Sequence, residues 1–148
     1  MLRQLLVGGA ISLCNIAIHA VVMAAVVGTA RNALKWDCRR SQIWLATVML
    51  ATVGVLMMAH IAEVITWSVA YAILEVVPAE GDVLYFAFVN YTTLGYGDVV
   101  PVERWRLLGP MAAMNGVLLF GWSTAVIFEV LRQAMRSRDR RGDGYRPP

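Results

Sequence analysis

Charged residues are scarce in this chain: they make up 16% of its 148 residues, whereas 59% are hydrophobic. Soluble domains carry about 25% charged residues, so this composition argues against a soluble enzyme. Cysteine is equally scarce, because Cys14 and Cys38 are the only two and form no motif. Neither a disulfide framework nor a cysteine metal site follows. The sequence also lacks a nucleophile with a paired base, a cluster of metal ligands and a phosphate loop, so we expect no enzymatic activity.

Long uncharged runs are what the chain has instead. They cover residues 4–30, 41–62 and 107–128. A helix needs about 20 apolar residues to cross a bilayer, so each run predicts a transmembrane helix. We expect the second helix to continue to about Leu74, because Glu75 and then Pro78 end the helical pattern. A cleaved signal peptide is the alternative for the first run, whose length argues against it.

A fourth uncharged run, residues 83–97, is too short to span a membrane as a helix and contains two glycines. Non-helical backbone at membrane depth survives only where it is buried in protein or lines water. We therefore predict a re-entrant hairpin between the second and third spans. Asp82 is a suitable N-cap for a short helix over residues 83–92, after which the glycines end the helical pattern.

The distribution of basic residues predicts the orientation. Ten of the thirteen lie either between the first two spans or after the third, and positive residues mark the cytoplasmic side. They are Arg31, Lys35, Arg39, Arg40, Arg132, Arg136, Arg138, Arg140, Arg141 and Arg146. The N-terminus is then outside and the C-terminus cytoplasmic. The net charge of +3 reflects this topology, and we expect no nucleic-acid partner.

Residues 92–98 read Thr-Thr-Leu-Gly-Tyr-Gly-Asp. If residues 93–97 run extended with their carbonyls to one side, several chains around an axis would stack oxygen rings that replace the hydration shell of an ion. Successive carbonyls share a side when alternate residues have positive φ, which Gly95 and Gly97 permit. Leu94 and Tyr96 would then point away from the axis. We expect them to pack on the aromatic residues of the short helix, Tyr85, Phe86, Phe88 and Tyr91.

At these residues the sequence resembles the potassium channel family, whose filter is a Thr-x-Gly-Tyr-Gly loop followed by Asp. The resemblance covers residues 43–132 and is closest to small bacterial channels with two helices and a pore loop. It implies K+ sites at Thr93, Leu94, Gly95 and Tyr96, completed by Gly97. It also implies that Thr92 and Asp98 support the filter. The first helix lies outside the shared pore unit.

Three positions depart from the family pattern. Leu94 stands where Val is usual, but its carbonyl alone would meet the ion. Val89 occupies a position that is acidic in some members, which removes one possible contact with Asp98. Tyr85 stands where Trp is common, and we predict that its hydroxyl reaches Asp98 instead.

The third span carries small residues, which indicate either close helix packing or a hinge. The resemblance favours a hinge at Gly116 and the Phe120-Gly121 pair. Helical spacing places Val117, Thr124 and Phe128 on one face together with Phe120 or Gly121. We predict that this face lines the conduction path. Phe128 is the candidate apolar gate.

His60 and Glu63 are three residues apart on one face of the second helix. Ionisable groups at membrane depth are candidate functional residues, and histidine titrates near neutral pH. A pH sensor is therefore one interpretation. A structural polar pair that packs on the first helix or on a neighbouring pore helix is the favoured one, and we expect His19 to pack or form hydrogen bonds as well.

The sequence thus predicts an all-α membrane protein with three transmembrane helices, a pore helix and a filter loop, assembled as a homotetramer. Its parts are an N-terminal helix (1–34), a basic loop (35–42), a pore domain (43–132) and a basic tail (133–148). The expected function is passive, selective K+ conduction in a bacterial inner membrane, with lipids as partners and with neither a cofactor nor a small-molecule substrate. The alternatives are a weakly selective cation channel and a non-conducting accessory subunit.

Overall fold

The computed structural model describes residues 1–36 and 42–142, and it contains helices but no strand there. The elements are α1 (Leu2–Trp36), α2 (Gln42–Ile73), α3 (Val83–Tyr91), a 3₁₀ helix (Glu103–Trp105) and α4 (Leu108–Gly142). The helices α1, α2 and α4 are long and apolar enough to cross a membrane, as the three uncharged runs predicted. The chain is an all-helical, multi-pass membrane protein.

The helices α1 and α4 extend beyond their predicted C-terminal ends, whereas α2 (Gln42–Ile73) lies within the predicted range of 41 to about 74. Both α1 and α2 reach into region 35–42, which was predicted as a loop, and α4 continues into the predicted tail as far as Gly142. In α4, Glu129 forms a 2.6 Å ion pair with Arg132 one turn later, as a helical pair of opposite charges can. The predictions for residues 37–41 and 143–148, which include Arg39, Arg40 and Arg146, fall outside the described residues.

The end of α2 has a left-handed cap formed by a residue other than glycine. Glu75 has a φ of +50°, and the amide of Val76 donates to the carbonyl of Tyr71 at 3.0 Å. This backward hydrogen bond is the mark of a Schellman cap. The cap turns the chain sharply before Pro78, so the segment that follows returns along the end of the bundle.

The three long helices alternate in direction. The amide of Leu107, just before α4, donates to Gln4 near the start of α1 at 2.9 Å, so these two helices begin side by side and run parallel. Tyr71, near the end of α2, donates to the carbonyl of Leu108 at 3.1 Å, so α2 is antiparallel to both. The segment between α2 and α4 therefore begins and ends at the same end of the bundle.

Two apolar clusters form the core, one towards each end of the bundle. The cluster beside α3 contains Val64, Trp67, Tyr71, Val76, Val77, Phe86, Ala87, Tyr91, Trp105, Leu108 and Ala112. The cluster at the far end contains Met23, Val26, Ala30, Leu56, Val126 and Val130. Between them lies a layer of buried polar side chains from α1, α2 and α4. This layer lies directly behind the C-terminal end of α3.

Candidate functional site

The short helix α3 begins where its sequence predicted. Asp82 has extended backbone, and its side chain accepts a 3.0 Å hydrogen bond from the amide of Tyr85, as an N-cap does. The helix ends at Tyr91, one residue before the predicted end, with Thr92 as its C-cap. At nine residues, α3 is too short to cross a membrane.

The backbone after α3 folds back onto the end of the helix. The carbonyl of Val89 accepts from the amides of Leu94 and Gly95 at 2.9 and 3.3 Å. Thr92 adds a further hydrogen bond, because its hydroxyl donates to the carbonyl of Phe88 at 2.7 Å. The carbonyl of Val89 is one of the last helix carbonyls that need partners from outside the helix, whereas that of Phe88 also accepts from the amide of Thr92 at 3.0 Å. These hydrogen bonds anchor the filter segment, defined as residues 93–97, to α3.

Left-handed backbone recurs at every second residue of the filter segment. Thr93, Gly95 and Gly97 have φ values of +62°, +59° and +78°. Gly95 and Gly97 thus have the positive φ predicted for them, which is the alternation that a row of carbonyls on one side requires. The positive φ of Thr93 was not predicted, since positive φ is uncommon for a residue with a β-carbon. Such an outlier favours a functional assignment for this segment.

Within one chain the filter segment is uncovered. Leu94 and Tyr96 are 54% and 70% exposed, so the predicted packing of both against α3 is not made inside the chain. Phe86 and Tyr91, two of the aromatic residues expected behind the filter, are buried in the chain's own core instead. The reason is geometric: these two rings point from α3 towards α2 and α4.

Tyr85 and Asp98 form the predicted contact. The phenol donates to Asp98 Oδ2 at 2.7 Å and so joins the first turn of α3 to the residue after the filter segment. The hydrogen bond to the carboxylate, together with its negative charge, raises the pKa of Tyr85 above its ordinary value. The phenol therefore keeps its proton and donates this hydrogen bond at neutral pH. The hydrogen bond is lost as the pH rises through the raised pKa of Tyr85.

This pair yields a prediction for alkaline titration. The difference in tyrosinate absorbance between the wild type and Tyr85→Phe isolates the titration of Tyr85. We expect Asp98→Asn to move that difference curve to lower pH, because the amide removes the negative charge that opposes ionisation. The same curve in both backgrounds would contradict the contact.

At Gly116, α4 lies in close contact with the C-terminal end of α3. A β-carbon there would collide with the backbone carbonyl of Tyr91. The helix continues through Gly116 and Gly121 without a break. Close packing therefore accounts for Gly116 in this conformation, and its predicted role as a hinge stays a prediction.

The other candidate gate residues divide between two environments. Val117, Thr124 and Phe128 are exposed, as is Gly121, which suits a face that is free to line a path. The ring of Phe120 instead packs against His60 in a tilted contact and against Tyr91 edge to face, with centroids 4.5 and 5.5 Å away. Phe120 therefore connects α4 to the buried polar layer, although part of its surface remains exposed.

His19 joins His60 and Glu63 in one cluster, although it was predicted only to pack or to form hydrogen bonds. His60 Nδ1 lies 3.0 Å from Glu63 Oε2, and His19 Nδ1 lies 2.7 Å from Glu63 Oε1. The pair therefore packs on the first helix, and its role, structural or pH-sensing, stays a prediction. The sequence held a signal for this packing: Asn15 and His19 are four residues apart, which puts two polar groups on one face of an apolar helix.

Comparison with known families gives the class of the protein. Three membrane-length helices, with a short helix and an irregular segment between the last two, define a multi-pass membrane protein. Residues 59–133, slightly more than half of the chain, match the family model described as Ion channel. The chain belongs to this ion channel family. Neither the comparison with curated proteins nor that with solved structures gives a match.

Proposed function

We propose that the protein is a potassium-selective channel in which four copies of the chain surround one conduction path. The observation that carries the proposal is the alternation of left-handed backbone at Thr93, Gly95 and Gly97. In a Thr-Leu-Gly-Tyr-Gly segment this alternation is the one needed to turn successive carbonyls to one side. Rings of such carbonyls can replace the hydration shell of K+.

The connection between α2 and α4 supports a re-entrant pore loop. Its two ends meet where Tyr71 bonds to the carbonyl of Leu108, and its single α-helix, α3, has nine residues. A segment that starts and ends at one side of the bundle and cannot span the bilayer suits a hairpin that enters the membrane and returns. Residues 93–97 would lie at the turn of that hairpin.

The exposure of the filter segment supports assembly. All of residues 92–98 are exposed in one chain, yet an irregular backbone is stable at membrane depth only against protein or water. A single strand also covers one side of an ion at most. Cyclic symmetry would supply the missing sides and cover Leu94 and Tyr96 with neighbouring subunits. The resemblance to potassium channels favours four subunits.

The positions of the charges support the proposed orientation. Arg31 at the end of α1 and Arg132 and Arg136 near the end of α4 lie far from the filter segment. Basic residues favour the cytoplasmic side, so the N-terminus and the filter segment would face outward. In a bacterial inner membrane, the filter would then open to the periplasm. K+ would pass through it in either direction, following its electrochemical gradient.

The test is the reversal potential of purified protein in planar bilayers, with K+ on one side and Na+ on the other. We expect a value near the K+ equilibrium potential. A value near zero with robust current would overturn selectivity and identify a relaxed cation pore. If no current flows at any voltage or pH while subunit counting finds intact tetramers, the accessory-subunit alternative would replace the channel.

Phe128 provides a test of the gate. Its side chain is 65% exposed on α4, at the end far from the filter segment, and an apolar ring there can close a path by excluding water. We expect Phe128→Ala to raise the open probability in single-channel recordings. Leu118→Ala is the control, because Leu118 is also apolar and exposed but lies on a different face of α4. Equal open probability in both variants would contradict the gate.

A further inference from the structure

A compact set of metal-binding residue types lies in the buried polar layer. His19 on α1 and His60 and Glu63 on α2 offer ligand atoms that all lie within 4.8 Å of one another. The side chains of His19 and Glu63 are fully buried, and that of His60 is 11% exposed. We call these three residues the His-Glu cluster. The conduction path proposed above uses none of them.

The two imidazoles are oriented alike. Both Nδ1 atoms face the carboxylate of Glu63, at 2.7 Å for His19 and 3.0 Å for His60. Both Nε2 atoms face a single oxygen on α4, the hydroxyl of Ser123, at 3.4 and 3.0 Å. In the tautomer with both ring protons on Nε2, the two Nδ1 lone pairs and the carboxylate oxygens lie on the same side of the cluster. The other side is suited to two N–H groups that donate to the two lone pairs of Ser123 Oγ.

The carboxylate of Glu63 needs a positive charge. Its side-chain partners among the described residues are two histidines and the hydroxyl of Tyr91, with no Arg or Lys. If both histidines are neutral, the cluster holds a net negative charge inside an apolar bundle. A buried, uncompensated charge is strongly unfavourable. A cation bound within the cluster would compensate this charge.

We propose that the His-Glu cluster binds a divalent transition metal ion of the zinc type through His19 Nδ1, His60 Nδ1 and the Glu63 carboxylate. Two imidazoles and one glutamate are an established ligand set for Zn²⁺. With a metal on both Nδ1 atoms, each ring would keep its proton on Nε2. Each Nε2–H would then donate a hydrogen bond to the hydroxyl oxygen of Ser123. This matches the usual outer partner of a metal-bound histidine, which fixes the tautomer and the ring orientation.

The spacing and the fourth ligand also suit a metal. Tetrahedral ligands about 2.1 Å from Zn²⁺ lie about 3.4 Å apart. The contacts of His19 and His60 with Glu63, at 2.7 and 3.0 Å, would therefore have to open by about 0.7 and 0.4 Å. The Tyr91 hydroxyl contacts Glu63 Oε2 and lies 2.9 Å from His60 Nδ1, in reach of the fourth position.

A metal in this cluster would cross-link residues that are far apart in sequence. It would bind α1 to α2 and, through Tyr91, to the last residue of α3. The filter segment begins two residues later. The site would thus fasten the first helix to the pore unit, directly behind the anchor of the filter.

The experiment uses the full chain, purified without a polyhistidine tag and depleted of metal with a chelator. Equilibrium dialysis against Zn²⁺ followed by atomic emission measures stoichiometry, and Co²⁺ reports coordination through its visible absorption. We expect one Zn²⁺ per chain and the spectrum of four-coordinate Co²⁺. Because the histidines at positions 19 and 60 are the only two in the chain, a histidine-bound metal has no alternative location.

Four variants give the contrast. His19→Gln and Glu63→Gln keep polar side chains of similar size and should abolish stoichiometric binding. Ser123→Ala should weaken affinity by about 10–100-fold, as loss of an outer partner does. The Cys14→Ser/Cys38→Ser double variant removes the thiols and should bind as the wild type does.

Two results would overturn the site. One is a wild-type protein that binds neither Zn²⁺ nor Co²⁺, in which case a proton supplies the charge. The other is binding that survives both His19→Gln and Glu63→Gln. The wild-type spectrum decides the question even if a variant does not fold. None of these measurements depends on ion flux, so their failure would leave the proposed channel function untouched.

Discussion

Gly95→Ala should lower the K+/Na+ permeability ratio by about tenfold or more. No atom prevents a β-carbon at this position, since the nearest one, the Thr93 carbonyl oxygen, is 3.9 Å away. The penalty is conformational: at a φ of +59° an L-residue is disfavoured by roughly 1–2 kcal/mol. The strain recurs in every subunit of the proposed ring, and about 1.4 kcal/mol corresponds to a factor of ten. Reversal potentials under K+ and Na+ gradients measure the effect.

Gly54→Ala is the matched control. Gly54 lies within α2 without positive φ, and a β-carbon there would have no neighbour within 4 Å. Alanine also favours the helix, so we expect this variant to keep the selectivity of the wild type. If Gly95→Ala also keeps it, the filter assignment for residues 93–97 is wrong, since the requirement for left-handed backbone at Gly95 is the centre of that assignment.

Gly116→Ala should destabilise the protein by about 3 kcal/mol per chain, the upper part of the range for overpacking. The added methyl would meet the carbonyl oxygen of Tyr91, and both groups belong to backbones held by their helices. Relief requires α4 to move away from α3. We expect a lower midpoint for thermal unfolding in detergent, together with fewer intact oligomers.

The comparison for this variant is Gly121→Ala on the same helix. A β-carbon at Gly121 has no neighbour within 4 Å, and glycine is about 1 kcal/mol less favourable than alanine inside a helix. Gly121→Ala should therefore be at least as stable as the wild type. Equal losses of stability in the two variants would mean that the contact with Tyr91 does not hold α3 in place.

Features that depend on neighbours in the chain were predictable. The three membrane helices follow from uncharged length, and the start of α3 follows from Asp82. The positive φ of Gly95 and Gly97 follows from the alternation that a row of carbonyls requires. Each prediction used a pattern within a few residues, where geometry depends little on the rest of the molecule.

Contacts between helices were harder to predict. Tyr85 and Asp98 were paired correctly because α3 and the filter segment are close in sequence. The rings of Phe86 and Tyr91 were placed behind the filter, whereas they pack into the core. Nearly every residue of α3 is apolar, so hydropathy alone does not distinguish the face that packs on α2 and α4 from the face behind the filter.

The sequence by itself determined the number of spans, the short helix between the last two and the positive φ at Gly95 and Gly97, because each depends on local hydropathy and backbone preference. Only the tertiary structure decided that His19, His60 and Glu63 meet, with Ser123 and Tyr91 around them. The physical reason is that long apolar helices can slide or rotate against one another with little change in burial. Their register is fixed by the few polar groups that must find partners inside the bundle.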